Sequence, residues 1–234
     1  MKIFEILFLR CVKEKNWSKF RIDRDEPLSA HLPTLDPFSP QPFVIRFQPH
    51  ITLQVPKPSA PWANTDMVEE LSKLQIPSIE PLSPLIDLSK DHIYNDTAVV
   101  ARPKTSLSLH TLLWSREQDQ KYPWTKEQNA ANAILFTFGA AVAEATRRSQ
   151  HRDLKRKPCG LFLISIVELV NGNMDIITMQ LNTLNLSDED PTKNIVWVEK
   201  ACPLYTPKPF YEQLQEVTHV NMDTFRKFVA QLWS

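Results

Sequence analysis

The side chains best able to do chemistry are scattered along this chain. Six histidines stand at His31, His50, His92, His110, His151 and His219, and none has a His or Cys three or four residues on. Cys11, Cys159 and Cys202 are odd in number and far apart. They supply neither a disulfide framework nor metal-ligand spacing, which points to a reducing compartment. No serine occupies a nucleophile elbow, and no Cys–His pair is suggested by spacing. Asp91-His92 and His110 are the one set that folding could bring together for metal or proton-transfer work; isolated histidines are ordinarily structural. Glu69-Glu70 and Asp188-Glu189-Asp190 fall in a solvated helix and a loop and read as surface charge. Phosphate-cradling loops and dinucleotide fingerprints need clustered glycines, and the three here, Gly139, Gly160 and Gly172, are far apart. No cofactor, metal or small-molecule substrate is expected.

One charge feature stands out. Arg147, Arg148, Arg152, Lys155, Arg156 and Lys157 form a basic connector opposed only by Asp153. Such a patch suits phosphate oxygens of RNA, or it is a solvated loop that ends a helix. It has no interleaved aromatic residue, so base stacking is not indicated. The 27 basic and 27 acidic residues of the 234-residue chain cancel, so any nucleic-acid contact is local.

The connector follows the element around which the chain is organised. Thr125 and Gln128 form a capping box at a helix start, with Pro123 just before it. Ile134, Leu135, Phe138, Val142 and Ala145 recur at helical spacing, while Phe136, Ala140 and Ala141 widen the stripe. This predicts a helix covered on more than one side, with Gly139 marking close approach of a neighbour. Arg147 and Arg148 suit the negative end of its dipole. Pro158 and Gly160 stop it. Leu161 to Val170 and Asp175 to Leu184 then read as two antiparallel strands joined at Asn171-Gly172, a dipeptide that tolerates the positive φ of a tight turn. Their apolar faces are expected to pack on the helix.

Elsewhere the signals are shorter. Residues 27–61 hold nine of the nineteen prolines, which forbids helix and limits strands. The segment reads as an extended arm with one short strand near Phe43 to Phe47, and Phe38, Phe43 and Phe47 are its expected protein-binding residues. Asn64 to Leu74 is a short amphipathic helix, Tyr94 to Ala101 and Leu107 to Trp114 are strands, and Ile195 to Val198 is another. A terminal amphipathic helix is capped by Asn221 or Asp223. No apolar run reaches the ~20 residues needed to cross a bilayer, so no membrane insertion is expected. Met1 to Val12 is interrupted by Glu5 and Arg10 and does not read as a signal peptide. The expected fold class is α+β: a single domain with a long central helix packed on an antiparallel hairpin-based sheet, plus a Pro-rich extended N-terminal arm. Residues 1–63 form the arm and 64–234 the domain.

Particular strings add to this reading. Asn132-Ala133-Ile134-Leu135-Phe136-Thr137-Phe138-Gly139, Gln180-Leu181-Asn182-Thr183, Lys193-Asn194-Ile195-Val196-Trp197-Val198 and Asp223-Thr224-Phe225-Arg226-Lys227-Phe228 occur in that order. Together with Ile86-Asp87-Leu88, Tyr94-Asn95-Asp96-Thr97 and His110-Thr111-Leu112, they resemble the mitochondrial large-ribosomal-subunit protein thirty-seven family. Its paralogue, protein sixty-five (programmed cell death protein 9), shares the Gln180 and Lys193 strings; the Thr224 to Phe228 ending favours thirty-seven. The resemblance covers roughly residues 84–234.

What the resemblance implies is a structural role in the mitochondrial large ribosomal subunit, in the matrix. The partners it implies are other large-subunit proteins, including the paralogue, and ribosomal RNA. The connector from Arg147 to Lys157 would meet the RNA, and Phe38, Phe43 and Phe47 the proteins. The alternatives are a soluble protein-interaction adaptor and a degenerate enzyme with a cleft holding His92 or His110.

Overall fold

The computed structural model describes residues 10, 13–14, 20–32, 43–75, 106–116, 121–150, 162–185, 191–207 and 217–233. The capping box forms as the residue types require: the Thr125 N–H donates to Gln128 Oε1 at 2.9 Å and the Gln128 N–H to Thr125 Oγ1 at 3.2 Å. From it runs the long helix α2 (Lys126–Gln150). A shorter helix, α1 (Thr65–Ser72), precedes it, with Asn64 Oδ1 accepting the Met67 N–H at 2.9 Å. The last helix, α3 (Met222–Trp233), is capped by Asn221, whose Oδ1 accepts the N–H groups of Asp223 and Thr224.

Among the described residues, ten strands accompany them. β1 (Arg21–Arg24), β4 (Ile51–Val55), β5 (Ser108–Arg116), β6 (Phe162–Val170), β7 (Asn173–Leu181) and β8 (Ile195–Pro203) form one sheet in the order β1-β4-β5-β6-β7-β8. β2 (Leu28–Leu32) pairs with β3 (Phe43–Phe47), and β9 (Thr206–Pro207) with β10 (Val217–Thr218). β6 and β7 close through Asn171 and Gly172 at φ 48° and 80°, the turn expected from that dipeptide.

Three features differ from the sequence reading. The sheet is mixed, because β5 and β6 run parallel; parallel neighbours need a long crossover connection, and α2 lies within it. Second, the Pro-rich segment within residues 1–63 is not laid out as an arm. β1 and β4 join the main sheet, and the β2-β3 hairpin lies on α2. The nine prolines of 27–61 all fall outside β1 to β4, so they punctuate the strands instead of interrupting them. A boundary after residue 63 would also cut a tie: Ala63 N–H donates to Gln180 Oε1 at 2.9 Å and Gln180 Nε2 donates to the Ala63 carbonyl at 3.0 Å. Third, β8 runs past Val198 to Pro203 through a bulge at which Lys200 and Ala201 oppose Asp175.

The core has two layers. On one face of the sheet, Leu112, Ile164, Ile166 and Leu181 meet α2, and Leu28, Ala30 and Ile45 of the hairpin cover the opposite side of that helix. A Cβ at Gly139 would lie 2.7 Å from Ile45 Cγ2, so the absent side chain is what lets the hairpin approach. On the other face, Ile51, Leu53, Val167 and Met174 pack on Phe228 and Leu232 of α3. Gln231 crosses into the sheet there. Its Nε2 donates to Ser165 Oγ at 2.5 Å and its Oε1 accepts from Thr178 Oγ1 at 3.1 Å. Among the described residues, no helix is long and apolar enough to cross a membrane.

Candidate nucleic-acid and protein interfaces

The basic connector begins on the last turn of α2, and its first two members are already engaged. Glu144 is 1% exposed and accepts from three groups on neighbouring turns. Arg147 donates from Nε to Glu144 Oε2 at 2.9 Å and from Nη2 to Oε1 at 2.7 Å, and Arg148 Nε reaches the same Oε1 at 2.8 Å. Both arginines also grip the start of β5. Arg147 Nη2 donates to the Leu107 carbonyl at 2.6 Å, Arg148 Nη2 bonds Ser108 Oγ, and the Leu109 N–H donates to Glu144 Oε1 at 3.3 Å.

Arg147 is itself 5% exposed. Charge-assisted bonds in so dry a place are strong and expensive to leave half-made. The structure therefore gives Arg147 and Arg148 the task of pinning the end of α2 to β5. A signal for this was present: Glu144 precedes the two arginines at the i+3 and i+4 spacings at which helix neighbours meet. Arg152, Lys155, Arg156 and Lys157 lie outside the described residues.

The aromatic residues read as protein-binding separate in the same way. Phe47 is 7% exposed and stacks on Phe136 of α2 at 4.4 Å between ring centres; Trp114 also meets Phe136, edge-on at 4.8 Å. This packing, worth about 0.5–1.5 kcal/mol per pair beyond buried area, makes Phe47 a core residue, so no partner can reach it without opening the hairpin. Phe43 is the first residue of β3 and pairs with Leu32. Phe38 lies outside the described residues.

His110 is buried in β5, its Nδ1 2.6 Å from Thr111 Oγ1; His92 lies outside the described residues. A cavity of about 310 Å³ opens on the α3 side of the sheet, lined by Ile51, Leu113, Val167, Leu169 and Met174 with His50 at its polar edge. His50 Nδ1 accepts the Ser115 N–H at 3.3 Å. His110 is not part of that lining, and none of the lining residues is a carboxylate. Among the described residues, no group of three or more His, Cys, Asp or Glu is arranged to hold a metal.

Sequence reasoning missed a polar clasp between the end of β7 and the start of β8. Asn194 Oδ1 accepts the N–H groups of Asn182 at 2.7 Å and Thr183 at 3.0 Å, and its Nδ2 donates to the Thr183 carbonyl at 3.1 Å. Asn182 Nδ2 returns a bond to the Lys193 carbonyl at 2.7 Å, and Asn182 Oδ1 accepts from Gln180 Nε2 at 3.1 Å. Gln180 in turn holds Ala63, so one network fastens both sides of a loop and the segment before α1. Its members are the Gln180 and Lys193 strings.

No family model matches the chain. Curated relatives do. The large ribosomal subunit protein mL37 of Bos taurus is 29% identical over 192 residues, 76% of this chain. That of Rattus norvegicus is 27% identical over 194 residues, and that of Gallus gallus 25% identical over 187, or 74% of this chain. The same protein is matched in each species, each time over about three-quarters of the chain. Over that stretch the chain is similar to mL37 proteins. It spans 44% of the length of the bovine and rat mL37 proteins and 42% of the chicken one. The mL37-like strings take structural places: Asn132 to Gly139 is the stretch of α2 under the hairpin, the Gln180 and Lys193 strings form the clasp, and Asp223 to Phe228 opens α3.

Proposed function

We propose that this chain is a structural constituent of the mitochondrial large ribosomal subunit, serving mitochondrial translation in the matrix as a non-catalytic scaffold between neighbouring ribosomal proteins and ribosomal RNA. The observation that carries the reading is the match to mL37 proteins of several animals over three-quarters of the chain. The use of its mL37-like strings as packing and clasp supports a scaffold over a catalyst. Its neighbours would include other large-subunit proteins, the paralogue protein sixty-five among them. Phosphate contact falls to Arg152, Lys155, Arg156 and Lys157, with Arg147 and Arg148 holding the helix end from which that stretch leaves. Protein contact falls to Phe38 and Phe43, since Phe47 is spent in the core.

The test is a density gradient of mitochondrial lysate probed for this chain. Co-migration with the large subunit at moderate salt is expected; recovery only in light soluble fractions would overturn the proposal. Reversing Arg152, Lys155, Arg156 and Lys157 to Glu should reduce incorporation. It should also flatten the dependence of log affinity on log salt by about 0.7–0.9 for each phosphate no longer neutralised. Unchanged incorporation would mean that the connector is a solvated loop.

A further inference from the structure

The two edges of the six-stranded sheet are built differently. β1 is four residues long and carries Arg21, Asp23 and Arg24, a short charged edge of the kind that discourages pairing. β8 is nine residues long, and among the described residues no strand pairs along its far side. It presents Val196 and Val198, 37% and 40% exposed, next to that open ladder of backbone groups.

The charges that could guard β8 are turned away from its edge. Lys200 Nζ reaches Glu127 Oε1 on α2 at 3.3 Å, and Glu199 Oε2 accepts from Lys227 Nζ on α3 at 2.6 Å. These exposed pairs are worth little as energy; their importance is direction, since each draws a charge over a face of the sheet. The bulge at Lys200 and Ala201 then ends the flat stretch. Ala201 sits at φ 51°, and its N–H is held by the Asp175 carboxylate.

The apolar strip continues onto the helix. The α2 row that starts at Glu127 proceeds at four-residue steps through Ala131 to Leu135, which is 41% exposed. Glu127 meets Lys200 of β8 at one end of this row. At the beginning of the strand Lys193 supplies a cation. Its backbone is anchored, N–H to Ser72 Oγ at 3.2 Å and carbonyl to Asn182, while its ammonium meets no acid among the described residues.

We propose that Ile195 to Glu199 is a docking edge for a short extended segment of a neighbouring protein, which adds as a further strand, lays alternate aliphatic side chains against Val196, Val198 and Leu135, and brings an acidic residue to Lys193. Backbone hydrogen bonds supply the attachment in this mode, and the alternate side chains and the charge at the end supply the selectivity. The proposal is independent of the particle to which the chain belongs.

The test uses the whole chain and two capped, fluorescein-labelled peptides, Glu-Val-Thr-Val-Thr-Val and the same with Lys in place of Glu. Anisotropy should show saturable binding with the acidic peptide favoured. Lys193→Glu should invert that preference, each affinity moving about two- to fivefold as for an exposed ion pair. Val196→Lys with Val198→Lys, at exposed positions, should abolish binding with the thermal midpoint retained. Hydrogen exchange should find alternate amides of residues 195–199 open in the free monomer and slowed by the acidic peptide. Failure of both peptides to saturate overturns the proposal, as does a preference that ignores Lys193→Glu. So does protection already complete in the monomer, which would mean that another segment of this chain covers the edge. Protection that rises with protein concentration and tracks a dimer in light scattering would assign the edge to a second copy instead.

Discussion

Replacing Glu144 tests whether Arg147 is a structural cation or an RNA ligand. Glu144→Leu keeps side-chain volume but removes every acceptor. Arg147, 5% exposed, loses its carboxylate, and the Leu109 N–H loses its acceptor. Breaking a buried pair by removing one partner costs about 3–5 kcal/mol. Arg148 adds little, because its side chain is 25% exposed and water can replace the lost bond. For a chain of this size each kcal/mol lowers the thermal midpoint by about 2–4 °C, so a fall of about 6–20 °C is expected. Adding Arg147→Met removes the stranded cation as well, and replacing both members of a buried pair by apolar groups is often neutral. The double variant should therefore regain most of the loss. Urea unfolding followed by circular dichroism at constant m-value reads both changes. A single variant within about 1 kcal/mol of the parent, against the penalty expected for a buried pair, would refute the reasoning. So would a double variant no better than the single, and either result would mean that the pair with Glu144 is not what holds Arg147.

Two further outcomes follow from the packing and from a buried acid. Gly139→Ala gains about 1 kcal/mol of helix propensity but sets a methyl 2.7 Å from Ile45 Cγ2; overpacking of about 1–3 kcal/mol should win. The loss should shrink or reverse on an Ile45→Ala background, and an equal loss on both, measured by thermal unfolding, would show that the contact is not the cause. Burial raises the Asp175 carboxyl above its ordinary range, partly offset by the Ala201 N–H and the charge of Lys200. The folded chain thus holds this proton more tightly than the unfolded one. The stability is full below the unfolded pKa and declines as pH rises through the folded one. Asp175→Asn keeps an acceptor for Ala201 and should flatten that acid-side decline in urea midpoints; an unchanged profile would remove Asp175 as its source.

The features legible without a structure are those settled within a few residues. The capping box at Thr125 and Gln128 and the Asn171-Gly172 turn depend on local backbone geometry, and each forms where the residue types put it; at α3 two candidates stood side by side, and Asn221 rather than Asp223 is the cap. The close approach at Gly139 and the double-sided covering of α2 were legible for a related reason: helical period and side-chain size constrain packing whichever element does the packing. Of the mL37-like strings, the Gln180 and Lys193 pair take their place from the side-chain amides of Gln180, Asn182 and Asn194.

The tertiary structure decided what depends on distant partners. Strand pairing is set by which edges meet, and nothing near β4 in sequence announces β5 as its neighbour, so a proline-punctuated run of strands reads as an arm. β5 and β6 run parallel because α2 lies within the crossover that carries the chain back across the sheet. Phe47 and Arg147 carry side chains that suit a partner's surface, and both are claimed by the chain's own elements, Phe136 in one case, Glu144 and Leu107 in the other. Composition reports what a side chain is able to bind. Burial decides whether that capacity is spent inside the fold, because a desolvated ring or guanidinium cannot be withdrawn from its partner without several kcal/mol of cost.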